Sequence, residues 1–416
     1  MNQTFRSLSV YNYRIWFSAA IISNVGRWMQ ITAQDWLVLT ELTDKSAHVM
    51  GGVMALQFFP QILLVPFTGS VADKFDRRKV IICTQIGMAF LALVLGVITL
   101  LGIVTLWHVY ILAFLLGCVS AFDAPARQSF VSEMVPDELL SNAVALNSTT
   151  FNAARMLGPA AAGVLISIIG SGWIFMLNAL LFSPLIFTLT RIRVAELNRR
   201  PSKRSADDSG RFVDGLKYLS KRPDLKTLIW MMFFIGTFGL NFTIYISSMV
   251  VNVFQIGSRG YGILTSMMAV GSLTGALYAA NKSSPSMRLI SVASFCFGIS
   301  WLLAALSPNY WIFGFVMVFA GLFTQTFTTS VQSLIQLSTE PEMRGRVLSV
   351  LMAVAMGGTP IGAPLTGWVS DTFGSRYSLG IAVASGLIAS AIGFRYLCVH
   401  GRIKKFHVLK VTHTEN

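Results

Sequence analysis

The stretch SNVGRWMQITAQDW, residues 23–36, sets several polar and charged side chains inside an apolar run. Asn24, Arg27, Gln30 and Gln34 follow three- and four-residue steps, which places them on one face of a helix, with Asp35 beside that face. Such a face can line a polar cavity: amides and a guanidinium hold ligand oxygens, and a carboxyl can carry a proton. Arg27 and Asp35 lie about 12 Å apart along a straight helix at about 1.5 Å per residue, too far to pair, so each is expected to find another partner. Asp123 and Arg127 stand four residues apart, the spacing at which side chains on one helix meet, and are expected to pair. Arg155, Asn241, Tyr245 and Gln325 also interrupt apolar runs. Ionisable groups in a membrane span cost several kcal/mol and are functional candidates by default. For the amides and the tyrosine the plainer reading is ordinary bonding between helices, and for Asp35 it is solvation at a cavity mouth. Asp35 and Asp123 are the candidate proton carriers.

The elements that must position these residues are membrane spans. The 416 residues are 54% hydrophobic and only 12% charged, with a mean hydropathy of +0.64. A soluble globular chain carries roughly twice that charged fraction. A bilayer crossing takes roughly 20 apolar residues, and that length predicts twelve spans, beginning near residues 15, 48, 80, 107, 141, 173, 224, 260, 288, 311, 345 and 376. A polar stretch at 195–223, read as a linker that turns helical after Gly210, separates six spans in 1–194 from six in 224–398, and 399–416 form a tail. Shifting the chain by 204 residues lays Ser129 on Ser333, Gly158 on Gly362, Gly163 on Gly367, Gly170 on Gly374 and Ser171 on Ser375. The expected fold is therefore an all-α membrane protein of twelve transmembrane helices in two six-helix bundles, a parallel repeat that can rock about a midplane site.

Charge reports orientation. Of the 32 Lys and Arg, those on one predicted face are only Lys45, Arg259 and Arg376, four lie within spans, and the rest share the face of the N-terminus. The positive-inside rule makes that face cytoplasmic and accounts for the net charge of +14 without nucleic-acid binding. The first apolar run is too long for a cleavable signal, so the N-terminus is expected to stay attached. Cys83, Cys118, Cys296 and Cys398 fall in apolar runs and read as packing residues, and no histidine spacing suggests a metal. No cofactor is expected, and the absence of a G-x-x-x-x-G-K-[ST] sequence excludes ATP hydrolysis by that route.

Residues 69–80, GSVADKFDRRKV, crowd six charges between apolar runs. Gly69, Asp73, Arg77, Arg78 and Lys79 resemble the signature loop of the major facilitator superfamily, G-x-x-x-D-(R/K)-x-(G/D)-R-(R/K). The resemblance implies a facilitator fold in which Asp73 latches the cytoplasmic side while the basic residues secure neighbouring helix ends. In the second half, GALYAANKS at 275–283 lacks the aspartate. NAARMLGPAAAG, 152–163, resembles the antiporter motif of exporters, with Arg155, Gly158, Pro159 and Gly163 at its positions and Ala162 in place of a glycine. FDAPARQSF and ALNSTTFNAAR, at 122–130 and 145–155, are similar to the branch of enterobactin-type siderophore exporters and macrolide pumps. That branch has small residues where Arg27 and Asp35 stand, so neither inherits a family role.

Together these readings imply a monomeric proton antiporter of the bacterial inner membrane, with both termini cytoplasmic and no enzymatic activity, that exports a small anionic or zwitterionic molecule such as a siderophore. Its partners are that substrate, protons and the bilayer. A macrolide-type multidrug pump is the alternative within transport, and a facilitator-fold sensor that transports nothing is the alternative outside it.

Overall fold

The computed structural model describes residues 3–64, 68, 71, 75–198, 208–280 and 285–400. Among them the chain is helical, with no strand. The helices are α1 (Tyr11–Leu37), α2 (Ala47–Leu63), α3 (Arg77–Leu100), α4 (Leu106–Met134), α5 (Asp137–Leu181), α6 (Ser183–Arg191), α7 (Asp208–Ser220) and α8 (Pro223–Phe234). They continue as α9 (Phe242–Ser248), α10 (Ser258–Ala280), α11 (Met287–Ala305), α12 (Tyr310–Ser338), α13 (Pro341–Gly357), α14 (Thr359–Phe373) and α15 (Ser375–His400). Nine runs among the described residues are long and apolar enough to cross a membrane, and α2 is a shorter apolar helix. One of the nine, Ala153–Arg191, contains the reversal at Gly170, and with α1 and α2 added the order of the described helices is consistent with twelve crossings.

Most predicted starts are late by one to four residues, because capping residues begin the helices before the apolar run does. Ser46 caps α2 by accepting from the Val49 amide, Asp76 caps α3 by accepting from the Arg78 amide, and the Asn309 side chain accepts from the Ile312 amide at the head of α12. The linker becomes helical at Asp208, close to the expected position. The seventh span departs from expectation. It is broken into α8 and α9 by a π turn over Ile235–Gly239, with a second π turn over Met249–Val253.

The repeat seen in the sequence recurs in the backbone. Gly170 and Gly374, 204 residues apart, adopt φ of 80° and 106°, a region that side-chain-bearing residues rarely enter, and each turns one span into the next. Small residues then bring helices together, as they must where lipid offers no hydrophobic drive. A Cβ on Gly158 would lie 2.4 Å from Trp28 Cβ, and one on its repeat mate Gly362 would lie 1.7 Å from the Thr237 carbonyl oxygen.

Two compact units emerge from the packing. The first comprises Met1–Asp208 with Thr243–Ser266 and Ala363–Asp371; the second comprises Ser209–Phe242, Met267–Gly362 and Thr372–Asn416. In the first, Tyr13, Trp16, Phe130, Met134, Leu185 and Leu189 form an apolar cluster, and the Tyr13 hydroxyl donates to the Ala143 carbonyl at 2.8 Å. In the second, α11 packs along α12 and α15, where Gly298 and Gly386 let the α11 and α15 backbones approach.

Candidate functional site

The first unit contains a buried polar network that ties α1, α3 and α4 together. Asp123, fully buried on α4, accepts at Oδ1 from the Thr84 hydroxyl and the Gln85 amide, both at 2.8 Å. Its Oδ2 lies 2.8 Å from Arg127 Nε, the pair expected from their spacing. Arg127 then donates to Asn24 Oδ1 at 3.2 Å and to Ser23 Oγ at 3.3 Å, while Ser23 donates to Gln85 Oε1 at 3.1 Å. The guanidinium also sits 5.6 Å from the centre of the Trp16 ring. Breaking a buried ion pair by removing one partner typically costs about 3–5 kcal/mol, so an Asp123 bonded in this way acts as a clamp between helices. Thr84 and Gln85 were not among the sequence candidates. The available signal was two adjacent polar residues inside the apolar run of α3.

Farther along α1, Gln30 (3% exposed) accepts a short hydrogen bond from Asn178, and Gln34 (1% exposed) donates to Gln57 of α2 at 3.2 Å. The structure therefore places these two amides in bonds that hold helices of the unit together. Asp35 differs. It is 1% exposed, and neither carboxyl oxygen has a hydrogen-bond partner among the described residues. The other partner expected for it is not found among the described residues: Thr32, Ala33, Gln34, Trp36 and Leu37 around it are all buried as well, and the neighbouring Trp36 ring packs 5.8 Å from that of Tyr261 on α10.

Arg27 and Arg155 are half-buried, and neither makes a hydrogen bond or ion pair with a described residue. Arg27 lies in the field of Asp123 and Arg127. The Arg155 guanidinium stands 5.9 Å from the centre of the Trp28 ring, the indole next in chain to Arg27, and Phe151 packs edge-on against the same ring. With Asp123 engaged by Arg127, these are two guanidinium groups without a carboxylate of their own.

Gly69 and Asp73 lie outside the described residues. Arg77 forms a close ion pair with Glu133 at the end of α4. Arg78 donates through Nε to the Leu189 carbonyl at 2.6 Å and through Nη2 to the Thr190 carbonyl at 3.4 Å, so a cation satisfies acceptors left open at the C-terminus of α6. In the antiporter-like stretch, Pro159 sits within α5, and a Cβ on Gly163 would lie 2.4 Å from Gly262 Cα, so α5 and α10 touch there backbone to backbone. In the second unit, Asn241 donates to the Thr237 carbonyl at 2.8 Å across the break in span seven, and Gln325 donates to Thr329 Oγ1 at 3.1 Å. Tyr245, in the first unit, is fully buried.

Apolar helical spans joined by a repeated turn define a polytopic membrane protein. The family described as transmembrane secretion effector, within the major facilitator superfamily, matches residues 2–406, and the chain belongs to it. Among curated relatives, the staphyloferrin A transporter of Staphylococcus aureus is 26% identical over 371 residues, covering 87% of this chain and 90% of that protein. Macrolide efflux protein A of Streptococcus pyogenes is 24% identical over 379 residues, covering 88% and 90%. Of solved structures, a bacterial homologue of the human lysosomal transporter Spinster superposes with a TM-score of 0.74 at 14% identity, covering 95% of this chain and 97% of that one. A D-xylose–proton symporter superposes at 0.73 and 11%, covering 94% and 98%. The last two establish the fold, and the chain is a multi-pass membrane transporter of a bacterial family.

Proposed function

We propose that this chain exports a small anionic or zwitterionic molecule, such as a siderophore, in exchange for protons, by alternating access. The observation that carries the reading is the pair of half-buried guanidinium groups, Arg27 and Arg155, that have no carboxylate partner among the described residues while Asp123 is held by Arg127. Guanidinium forks bind carboxylate and similar oxygens through paired charge-assisted bonds. A cavity for lipophilic cations needs the opposite balance.

Asp35 is the proton carrier in this account, preferred over Asp123 because its carboxyl oxygens are not engaged. Charge placement along the sequence supports cytoplasmic termini in a bacterial inner membrane, with the chain acting as a monomer. Asp73 latches the cytoplasmic face, and Arg77 and Arg78 hold the helix ends beside it. The siderophore class draws further support from the staphyloferrin A transporter, and the macrolide efflux relative supplies the competing reading. Expression in cells stripped of their own pumps decides between them: faster release of a siderophore than of a macrolide is expected. Release of macrolides alone would transfer the chain to the drug-pump class.

A further inference from the structure

The pattern of the signature loop occurs a second time. Residues 69–78 read GSVADKFDRR and residues 367–376 read GWVSDTFGSR, so Gly, Val, Asp, Phe and Arg recur in the same register, as Gly69/Gly367, Val71/Val369, Asp73/Asp371, Phe75/Phe373 and Arg78/Arg376. The second copy lies not between spans eight and nine, where the repeat of the halves would put it, but at the turn from span eleven to span twelve. That turn meets the turn between spans one and two.

The arginines do equivalent work. Arg376 donates to the Ala305 carbonyl at the end of α11 at 2.6 Å, as Arg78 does to Leu189 at the end of α6. Asp371 grips the head of α2. Its Oδ1 accepts from the Ala47 amide at 2.8 Å, and its Oδ2 accepts from the Ser46 hydroxyl at 2.6 Å and the His48 amide at 2.9 Å. A carboxylate at a helix N-terminus satisfies open donors and complements the helix dipole. The backbones are in contact beside it. A Cβ on Gly367 would lie 2.2 Å from the Ala47 carbonyl oxygen, and one on Gly51 would lie 2.4 Å from that of Ala363.

We propose that residues 367–376 are a second latch, in which Asp371 holds α2 against α14 and keeps the face opposite the termini closed, to be released each time that face opens. The inference rests on alternating access but not on the substrate or on proton coupling. It makes Asp371 a positioning residue for transport.

Ser247, 3% exposed with its hydroxyl 3.6 Å from Met50 Sδ of α2, reports this closure. In purified, detergent-solubilised protein freed of its four natural cysteines, Ser247→Cys should react slowly with a maleimide. Asp371→Asn, which keeps the side-chain volume, should speed that reaction roughly two- to fivefold, in line with the loss of an exposed charge–helix contact. Ser46→Asp added to Asp371→Asn returns a carboxylate to the head of α2 without rejoining α14, and should leave the reaction fast. Ser294→Cys, buried in the second unit, should stay unreactive throughout. If Asp371→Asn exposes Ser294→Cys as well, the protein has unfolded, and Asp371→Glu, which keeps the charge, then decides by whether Ser247→Cys remains slow. Unchanged reaction of Ser247→Cys in Asp371→Asn overturns the latch. Full restoration of slow labelling by Ser46→Asp overturns it equally, by showing a helix cap and nothing more.

Discussion

Asp35→Asn is expected to reduce proton-driven exchange to the background of protein-free liposomes while substrate binding stays within a few-fold of wild type. The expectation follows from burial. At 1% exposure, neither oxygen is bonded to a described residue, so no hydrogen bond among the described residues stabilises a negative charge there. Burying a charge without a partner is costly, so ionisation at Asp35 requires the surroundings to open and admit water. Proton binding and conformation are then linked: the state that hydrates Asp35 releases its proton, and the state that buries it retains one. Asparagine is nearly isosteric with the protonated acid but cannot titrate, so it removes the linkage and leaves the packing. The check is substrate flux with and without an imposed pH gradient, beside equilibrium binding to the same preparation. A variant that remains fully coupled would pass the role to Asp123 or to protons carried by the substrate itself.

The second large effect is expected at Arg27. Charge-assisted hydrogen bonds contribute about 1.5–3 kcal/mol, so Arg27→Ala should weaken anionic ligands by roughly ten- to a hundredfold. A neutral ligand of similar size should change by a small factor, because it loses contact area and no ionic partner. Folding is expected to survive, since Arg27 forms no hydrogen bond or ion pair with a described residue, unlike Arg127. Competition binding with one anionic and one neutral ligand reads the difference directly. Equal losses for both would show that Arg27 shapes the cavity without selecting charge.

The all-helical membrane fold, the linker helix, the Asp123–Arg127 pair and the Gly170/Gly374 turns were legible because each depends on local spacing or on a repeat within the chain. The bond between Ser46 and Asp371 was not legible, since nothing local links residues 325 positions apart. Helical periodicity placed Gln30 and Gln34 on one face without saying which neighbours that face meets, and Asn178 and Gln57 take up their amides. The break in span seven had a signal in GTFGLN, residues 236–241, where two glycines and an asparagine crowd one turn. Hydropathy passes over that stretch because its other residues are apolar or small. Asp35 was found by its type, but its isolation was not, because the lack of a partner is a property of packing.

The central claim is that a substrate anion leaves as protons enter. In proteoliposomes loaded with a siderophore and bearing a pH-sensitive dye, external acidification should drive siderophore out, and adding substrate on the opposite side should move protons with a fixed ratio to the substrate carried. Siderophore efflux that ignores the pH gradient, or proton movement evoked by lipophilic cations and not by the anion, would contradict the account.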